Sequence, residues 1–347
     1  MLNIFKNKTV VLTGAAGTIG RELVRQLLEF SPAEVRLLDH NESEVFFLHE
    51  EYEPVENVIP YVGSIRDYDK VAGLCRGADI VLHAAAYKHV YLSEYNPFDA
   101  VMTNVIGTQN VLKAALAAGC ERVLFTSSDK AVNPTNVMGS TKLLAERMVT
   151  AYNVNSGRGR CVFASSRFGN VVGSRGSVVP VFYNQIKKGG PVTVTDDRMT
   201  RFIMTIPQAA RLVLEACTLA KGGEVFISKM PVIRIVDLAE VMIELLAPRF
   251  GRKPEEIRIE FIGAKAGEKM YEELLSSEEV KRSKELENHF VTLPAFRFMF
   301  ESVDYYYPGE VRSVVDRPYV SSEETPLTRD ELRRFLVDNS VVDSLGA

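Results

Sequence analysis

The stretch from Lys8 to Gly20, KTVVLTGAAGTIG, decides the fold of this chain of 347 residues. The run Lys8–Thr13 is apolar and β-branched and predicts a buried strand, and glycines follow it at once with the spacing GxxGxxG. The next residues, RELVRQLLEF, place leucine and valine on one face at helical spacing. A strand, a glycine turn and a helix in this order are typical of a site for the pyrophosphate of a dinucleotide.

Each glycine of this turn has its own expected role. Gly14 allows the tight turn, Gly17 lets the backbone approach a pyrophosphate, and Gly20 lets the helix pack on the strand. The helix that begins near Thr18 and Ile19 would direct its positive N-terminal end at the phosphates. We therefore predict that these five residues contact the cofactor.

A carboxylate supports the same interpretation. The second predicted strand, Glu34–Leu38, leads directly into Asp39, which lies nineteen residues after Gly20. A carboxylate at that place accepts hydrogen bonds from the hydroxyl groups of an adenosine ribose. Because it also repels a 2′-phosphate, the sequence favours NAD over NADP. The alternative is that Asp39 only caps the N-terminus of the following helix.

The rest of the first half repeats the alternation of strand and helix. Strands are predicted at Val58–Val62, Ile80–His83 and Arg122–Thr126, with helical segments between them. This alternation predicts an α/β fold with a doubly wound parallel sheet of the Rossmann type. Ser165–Val172 is predicted to be one further strand, and Thr328 with Glu331 predicts the capping box of a last helix, Arg329–Val337.

Composition and charge exclude several classes of function. Apolar residues make up 46% of the chain and charged residues 25%, and the formal net charge is −4. These values fit a globular protein with a real core and argue against nucleic acid as a partner. No run of about 20 apolar residues and no secretory leader is visible, so we expect a soluble, cytoplasmic protein without membrane insertion. No metal is expected, and the cysteines are expected to be reduced thiols in the core: Cys75, Cys120, Cys161 and Cys217.

The segment TSSDKAVNPTNVMGSTK, from Thr126 to Lys142, carries the candidate chemistry. Reductases with a glycine turn of this kind place a tyrosine four residues before a lysine, but the residue four before Lys142 is Met138. A thioether has no titratable proton and cannot replace a phenol as an acid or base. The adjacent Asp129 and Lys130 offer an acid and a base instead, provided that Asp129 is protonated and Lys130 is neutral. The alternative is a solvated ion pair at the tip of a loop.

On these motifs the chain resembles the extended short-chain dehydrogenases/reductases, and most closely the UDP-N-acetylglucosamine 4,6-dehydratases without a membrane-spanning region. The matching segments occur in the family order between about residues 8 and 280: TGAAGTIG, HAAAYKHV, SSDKAVNPTNVMGSTK, SRFGNVVGSRGSVVPVF, DDRMTRFIMT and AGEKMYEEL. The segment with Asp-Lys and methionine in place of tyrosine is the most specific of them. The glycine turn is shared by many reductases.

The resemblance implies a redox-neutral loss of water from the sugar. Bound NAD⁺ would accept a hydride from C4, water would leave across C5 and C6, and the hydride would return to C6. By position, Asp129 would protonate the departing C6 hydroxyl and Lys130 would remove the C5 proton. Lys142 would hold the nicotinamide ribose, Ser128 would orient the C4 hydroxyl, and Met138 would pack near the ring.

The resemblance also implies further contacts. Residues 1–170 would form the NAD-binding domain that carries the catalytic residues. Residues 171–347 would form mainly a smaller, C-terminal nucleotide-sugar-binding lobe, with some segments returning to the first domain. Besides the glycine turn and Asp39, the expected cofactor contacts are Ser64, which replaces a common aspartate, and Ile65, Ala84, Ala85, Ala86, Asn104, Ser127 and Lys142. The expected substrate contacts are Lys88, Asn170, Ser177, Val178, Thr193, Arg201 and Glu268.

Several of these residues have plainer interpretations. Asn104 lies in a run, NPFDAVMTNVIGTQNVLKAALAAG, that predicts a single helix, where it is either buried or exposed. Arg201 reads equally as an ordinary surface arginine, and Glu268 opens a segment, EKMYEELLSSEE, that alone suggests a charged helix face.

Three functions remain open on the sequence. The first is the dehydratase, which would serve surface polysaccharide or glycan biosynthesis as a homo-oligomer, with retention at C5 favoured over inversion. The second is a nucleotide-sugar 4-epimerase, which shares the hydride step but needs no acid for C6. The third is an inert NAD-binding scaffold, to which the loss of the tyrosine would be suited.

Overall fold

The computed structural model of the protein describes residues 3–155, 161–174, 176–263, 268–300 and 303–343. Its strands are β1 (Thr9–Thr13), β2 (Glu34–Asp39), β3 (Val58–Val62), β4 (Ile80–His83), β5 (Arg122–Thr126), β6 (Val162–Arg167), β7 (Asn170–Val171), β8 (Val192–Val194), β9 (Thr200–Met204), β10 (Val225–Ser228), β11 (Val232–Arg234), β12 (Ile259–Phe261), β13 (Glu273–Leu275), β14 (Ser283–Leu286), β15 (His289–Thr292), β16 (Glu310–Arg312) and β17 (Tyr319–Val320).

The α-helices of the described residues are α1 (Thr18–Leu28), α2 (Glu42–Tyr52), α3 (Tyr68–Cys75), α4 (Val90–Tyr95), α5 (Pro97–Val101), α6 (Thr108–Ala118), α7 (Val137–Asn155), α8 (Val178–Lys188), α9 (Ile206–Leu219), α10 (Ile235–Leu246), α11 (Ser277–Val280) and α12 (Arg329–Asp338). A π-helical turn, Met102–Gly107, joins α5 to α6, and short 3₁₀ turns include Asp129–Ala131. In the part of the chain that the structure describes, no helix is both long and apolar enough to cross a membrane.

The chain divides into two compact units. The first comprises residues 1–168, 210–229 and 275–318, and the second comprises residues 169–209, 230–274 and 319–347. Two segments from the second half of the chain thus belong to the first unit.

The first unit is built on the large sheet, whose order is β16-β14-β15-β10-β6-β5-β4-β1-β2-β3. The seven strands from β10 to β3 run parallel to one another, and β15, β14 and β16 add antiparallel strands at one edge. The central strands are buried almost throughout because helices cover the sheet, as parallel sheets require. The predicted α/β fold of the Rossmann type is therefore confirmed.

The second unit has smaller sheets and its own apolar core. Strand β9 pairs with β11 and β7, β12 pairs with β8, and β13 pairs with β17. Helices α8, α10 and α12 contribute to a buried cluster with Val192, Val194 and Ile257. The capping box of α12 is confirmed: Glu331 N donates to Thr328 Oγ1 at 3.3 Å, and Thr328 N donates to the Glu331 carboxylate at 2.8 Å. The helix ends one residue later than predicted.

Three predicted elements are wrong. The strand predicted for Ser165–Val172 is divided: β6 ends at Arg167, after which the Phe168 carbonyl accepts a hydrogen bond from Asp129 N, and β7 belongs to another sheet. The helix predicted around Asn104 is interrupted by the π-helical turn. The segment after Glu268 forms β13 and the short helix α11 rather than one charged helix. Arg175, Ala266 and Gly267, which belong to the motifs quoted above, lie outside the described residues.

All four cysteines are buried and none forms a disulfide, as predicted.

Candidate active site

The glycine turn brings the end of β1 against the loop that follows β4. Gly14 has a φ of 72°, in the left-handed region that favours glycine. A Cβ at Gly14 would lie 2.6 Å from Ala85 N, and a Cβ at Gly20 would lie 2.2 Å from the Gly14 carbonyl oxygen. Neither position accepts a side chain unless backbone atoms move. Gly17 precedes α1 and donates its amide to the Gly14 carbonyl at 3.1 Å.

A chain of hydrogen bonds through His83 fixes the other side of this turn. Thr108 Oγ1 donates to the Asn104 carbonyl at 2.7 Å, so it accepts from His83 Nε2 at 3.0 Å. His83 Nδ1 then accepts from Thr13 Oγ1 at 2.7 Å, and Thr13 Oγ1 accepts from Ala85 N at 3.4 Å. His83 is therefore neutral with its proton on Nε2. The sequence indicates His83 only as the end of a strand, because its hydrogen-bond partners lie 70 and 25 residues away along the chain.

Asp39 ties β2 to the glycine turn. Its carboxylate accepts from Ala16 N and from Asn41 N, both at 3.1 Å. The cap of α2 is Asn41, whose side chain accepts from Glu44 N at 3.2 Å. The alternative interpretation of Asp39 as the helix cap is wrong, and its contact with a ribose stays a prediction.

The segment after β3 is held against the helix that begins at Thr108. Asn110 donates its side-chain amide to the Ile65 and Arg66 carbonyls, both at 3.0 Å, and Ser64 Oγ accepts from Arg66 N at 3.2 Å. Ile65 is buried, and its Cδ1 would lie 2.7 Å from a Cβ at Gly107.

Asn104 is buried, so the alternative that it is an exposed helix residue is wrong. Its side-chain oxygen accepts from Tyr87 N at 2.8 Å, and its amide donates to the Tyr87 carbonyl and to Thr141 Oγ1, both at 3.0 Å. The π-helical turn presents this side chain, as such turns often do at functional sites. Asn104 thereby joins the loop of Ala84–Ala86 to the start of α7. Lys88 lies at the exposed end of that loop.

Ser128, Asp129 and Lys130 form one hydrogen-bonded group at the carboxyl end of β5. Asp129 accepts from Ser128 Oγ at 2.7 Å and from Lys130 Nζ at 3.1 and 3.0 Å, one contact to each carboxylate oxygen. Asp129 is only 3% exposed, whereas the Lys130 side chain is 30% exposed. The alternative of a solvated pair is therefore wrong for Asp129. The carboxyl end of a parallel strand is where ligands bind in open α/β sheets.

The first turn of α7 packs against these residues. A Cβ at Gly139 would lie 2.2 Å from the Lys130 carbonyl oxygen, so glycine is required for this close approach. Met138 is 2% exposed, and its carbonyl accepts from Thr141 Oγ1 at 2.7 Å. Its side chain supplies packing and no proton.

Lys142 is buried one turn further along α7. Its Nζ donates to the Thr126 carbonyl at 2.9 Å and lies 4.6 Å from the centre of the Phe125 ring. Burial lowers the pKa of Lys142 to about 8, and the negative charge of Glu146 opposes this change. Burial also lowers the pKa of His83 to about 3, with the charge of Lys142 adding to the effect.

The predicted substrate residues of the second unit are divided between two groups. In the first, Asn170 donates to both carboxylate oxygens of Glu272 at 2.8 Å, and Arg201 Nε lies 3.4 Å from the same carboxylate. The Arg201 guanidinium also donates to the Met270 and Lys269 carbonyls. A bidentate contact between Arg201 and a phosphate would therefore replace hydrogen bonds that the protein already makes. An Arg201 nitrogen lies 3.7 Å from Glu268.

Glu272 is the centre of this group, although it was not among the residues predicted from the sequence. Its carboxylate also accepts from Phe202 N at 3.1 Å. Its position in the quoted segment AGEKMYEEL was the available signal, but adjacent glutamates in a charged run do not show which one is buried.

The second group lies at and near α8. Ser177 precedes Val178, the first residue of α8, and its buried Oγ has no hydrogen-bond partner among the residues that the structure describes. Thr193 is held by Gln185, which donates to its hydroxyl at 2.7 Å and accepts from its amide at 3.1 Å. Of these residues, Ser177 has a polar atom that a ligand would satisfy.

The residues of the first unit are compatible with a bound dinucleotide. Gly14 and Gly20 let backbone segments of the turn pack closely, Gly17 is exposed just before α1, and Asp39 places a carboxylate beside the turn. Ser127 Oγ is buried without a hydrogen-bond partner among the described residues, and Lys142 donates to the carbonyl of the neighbouring Thr126. A cofactor with phosphates and ribose hydroxyls has the groups that these donors and acceptors lack.

Comparison with known proteins identifies the family. The family model described as "Polysaccharide biosynthesis protein" matches residues 10–294. The chain belongs to this family. The resemblance to the extended short-chain dehydrogenase/reductase nucleotide-sugar dehydratases is confirmed by this match and by the relatives below.

Three curated relatives of this polysaccharide biosynthesis protein cover most of the chain. An uncharacterized membrane protein of Methanocaldococcus jannaschii is 53% identical over 84% of this chain and 87% of its own. A UDP-N-acetylglucosamine 4,6-dehydratase (inverting) of Campylobacter jejuni is 35% identical over 94% of this chain and 96% of its own. A UDP-glucose 4-epimerase of Rickettsia bellii is 34% identical over 96% of this chain and 97% of its own.

Solved structures share the fold. Pen from Bacillus thuringiensis superposes with a TM-score of 0.88 and 43% identity over 96% of this chain and 98% of its own. The dTDP-glucose 4,6-dehydratase DesIV of Streptomyces venezuelae, solved with NAD bound, has a TM-score of 0.66 and 24% identity over 76% and 86%.

Proposed function

We propose that this protein is a UDP-N-acetylglucosamine 4,6-dehydratase that forms a UDP-4-keto-6-deoxy-N-acetylhexosamine. The observation that carries the proposal is the contact between buried Asp129 and Lys130, with both carboxylate oxygens within 3.1 Å of Nζ. Elimination of water across C5 and C6 needs both an acid and a base, whereas oxidation of an alcohol needs a base alone. The dehydratase of Campylobacter jejuni supports the assignment.

NAD, rather than NADP, is the proposed cofactor. When bound, NAD⁺ supplies the acceptor for the C4 hydride and returns that hydride to C6. The residues proposed to hold it are those of the glycine turn, Asp39, the segment Ser64–Ile65, the loop Ala84–Ala86, Asn104, Ser127 and Lys142. The buried ammonium group of Lys142 would hold the nicotinamide ribose, and His83 would keep the loop in place through Thr13.

The chemistry at C5 and C6 follows from the ion pair. As an ion pair, Asp129 is an acceptor and Lys130 a donor, the reverse of the states that elimination needs. Transfer of one proton from Lys130 Nζ to Asp129, along the 3.0 Å contact, produces the base and the acid together without changing the charge of the pair. Lys130 then removes the C5 proton, and Asp129 protonates the departing C6 hydroxyl, so that water leaves. A water molecule would accept the proton of the C4 hydroxyl when C4 is oxidised, and protonated Lys130 would return a proton to C5 at the end of the reaction. Ser128 is proposed to orient the C4 hydroxyl.

The proposed contacts of the nucleotide sugar are Lys88, Asn170, Ser177, Val178, Thr193, Arg201 and Glu268. Ser177 Oγ, which is buried without a hydrogen-bond partner in the described part of the chain, is the strongest of these assignments. The role in polysaccharide biosynthesis, the homo-oligomer and the cytoplasmic location remain predictions.

The configuration at C5 also remains a prediction. The sequence motif NPTNVMG favours retention of configuration at C5, whereas the Campylobacter jejuni relative is named as inverting. Proton NMR coupling constants of the isolated product would separate the two outcomes.

A nucleotide-sugar 4-epimerase is the second candidate, because the Rickettsia bellii relative carries that name at similar identity. An epimerase makes no use of an acid at C6, and the hydrogen-bonded group around Asp129 would then have no chemical role.

The test is to incubate UDP-N-acetylglucosamine with the purified protein in D₂O, without added cofactor and then with NAD⁺, and to follow the sugar by mass spectrometry. Loss of one water with a single deuterium at C5 would establish the dehydratase. An isomer of unchanged chemical composition would establish the epimerase. No reaction, with NAD⁺ and other nucleotide sugars supplied, would favour the inert scaffold.

A further inference from the structure

A fully buried charge network lies in the first unit and has no role in the chemistry above. Arg167, the last residue of β6, donates from Nε and Nη2 to the two carboxylate oxygens of Glu146 at 3.0 and 2.7 Å. It also donates to both oxygens of Glu279, the third residue of α11, at 3.0 and 2.9 Å. All three side chains are at most 5% exposed. Arg282 lies 4.0 Å from the Glu279 carboxylate, so Glu279 has two guanidinium groups beside it.

The cation that shares a helix face with Glu146 is Lys142. Glu146 follows Lys142 by four residues on α7, so that the two side chains lie on the same face of the helix. Both are buried, where charges interact much more strongly than in water. Glu279 contacts the far side of Arg167, in a different element, and has no such helical relationship to Lys142.

Among the described residues, the other charged or titratable groups near α7 provide no comparable partner. His83 is neutral, and buried Asp129 is paired with Lys130 on the turn that packs against α7. Arg122 lies at the opposite end of β5 from Thr126, and half-buried Tyr152 lies near the far end of α7. The remaining groups on α4, α5, α6 and α7 are exposed to solvent, which screens them: Tyr91, Glu94, Tyr95, Asp99, Lys113 and Arg147.

We propose that Glu146 is a positioning residue for Lys142, and that Arg167 holds Glu146 in the orientation and charge state that this requires. Glu146 keeps Lys142 protonated in a site that would otherwise favour the neutral amine, and Arg167 prevents Glu146 from taking up a proton itself. The opposing effects of burial and of Glu146 on the pKa of Lys142 agree with this arrangement. The consequence for catalysis rests on the proposed function, in which Lys142 holds the ribose, but the charge relationship itself does not.

The experiment measures Lys142 directly in the full-length protein without substrate. Protein labelled with [ε-¹³C]lysine is titrated by NMR, and the Lys142 signal is assigned by its loss in Lys142→Arg. We expect Glu146→Gln to lower the midpoint of Lys142 by at least about one pH unit. The matched control, Glu279→Gln, also removes one carboxylate from Arg167 and should move the midpoint by less than about 0.3 unit. Equal shifts in both variants, or none in Glu146→Gln, would overturn the proposal.

A second variant guards against loss of folding in Glu146→Gln. Glu146→Asp keeps the carboxylate while shortening the side chain by one methylene group. We expect it to hold the midpoint of Lys142 at least about half a pH unit above that of Glu146→Gln. Equal midpoints in Glu146→Asp and Glu146→Gln would contradict the proposal, because they would show that the charge of Glu146 does not act on Lys142.

The catalytic consequence is tested separately. If the protein is the proposed dehydratase, the loss of rate at high pH should begin at least about one pH unit lower in Glu146→Gln than in Glu279→Gln. An absent dehydratase activity would leave the NMR result unaffected, so failure of the proposed function and failure of this inference are distinguishable.

Discussion

At the scale of single residues, substitution of Lys130 is the most direct test of the proposed chemistry. Its Nζ contacts both oxygens of Asp129, and its side chain is partly exposed while Asp129 is buried. We expect Lys130→Ala to abolish deuterium uptake at C5 of UDP-N-acetylglucosamine in D₂O, because no other group is assigned as the C5 base. Equilibrium dialysis should show NAD⁺ still bound.

Lys113→Ala, at an exposed position on α6, is the matched control and should retain normal exchange at C5. Normal exchange in Lys130→Ala would show that Lys130 is not the C5 base, and another residue would have to remove the C5 proton.

Met138 separates this protein from reductases that use a tyrosine at the same position. Its side chain is buried, so Met138→Tyr adds volume to a packed region, which costs about 1–3 kcal/mol of stability. We expect a rate that is unchanged or reduced by less than about tenfold, which corresponds to about 1.4 kcal/mol. Met138→Leu conserves the volume and should remain near the wild-type rate. A tenfold gain from the tyrosine would show that the site still uses a phenol.

At the scale of elements, the contact between α7 and the Asp129–Ala131 turn positions the catalytic pair. A methyl group at Gly139 would lie 2.2 Å from the Lys130 carbonyl oxygen, so Gly139→Ala must move the turn or the helix. We expect a loss of about 1–3 kcal/mol in the free energy of unfolding and a fall in kcat of about 100-fold, because a displacement near 1 Å has effects of that size. Urea denaturation and steady-state kinetics measure the two quantities.

Gly73 in α3 provides the matched control for this helical glycine. The nearest atom to a Cβ there would be an Arg76 nitrogen at 3.6 Å, an ordinary contact. Gly73→Ala should stabilise the protein by about 0.5–1 kcal/mol through helix propensity and leave kcat unchanged. Equal losses in the two variants would mean that the tight contact at Gly139 is not what matters.

Local sequence patterns predicted the central elements well. The bounds of β3, β4 and β5 are those predicted, because short apolar runs between turn residues specify buried parallel strands. The break at Arg167 was not predictable, since it depends on the Phe168 carbonyl bonding Asp129 N, a residue 39 positions earlier. The π-helical turn at Asn104 likewise depends on partners in distant segments, Tyr87 and Thr141.

At the scale of the whole molecule, the first unit is assembled from three separate segments of the chain. The network of Arg167 with Glu146 and Glu279 joins residues 21 and 112 positions apart. No spacing rule relates such positions, so the sequence alone offered no signal for the network. The Asp129–Lys130 pair was visible because its members are neighbours in the sequence.

Buried neutral histidine gives the whole molecule a predictable response to acid. The pKa of His83 is lowered by burial to about 3, whereas an unfolded histidine titrates near 6.5. Between these values the unfolded chain binds a proton that the folded protein excludes, so the free energy of unfolding falls as the pH falls. The stability that neutral His83 contributes is fully present above about pH 6.5 and decreases below it.

The measurement is urea denaturation at pH 7 and at pH 5. We expect the loss of stability between these two values to be smaller by about 2 kcal/mol in His83→Gln than in the wild type, because the variant has no group at this site for the unfolded chain to protonate. His49→Gln, at an exposed position on α2, should show the wild-type loss. The variant at His83 will also be less stable at pH 7, since Thr13 and Thr108 lose a buried partner, so the comparison concerns the pH-dependent difference alone. An equal pH-dependent loss in the wild type and His83→Gln would show that His83 takes up its proton at the same pH in the folded and unfolded protein, and that the hydrogen-bond chain from Ala85 to Asn104 does not hold it neutral.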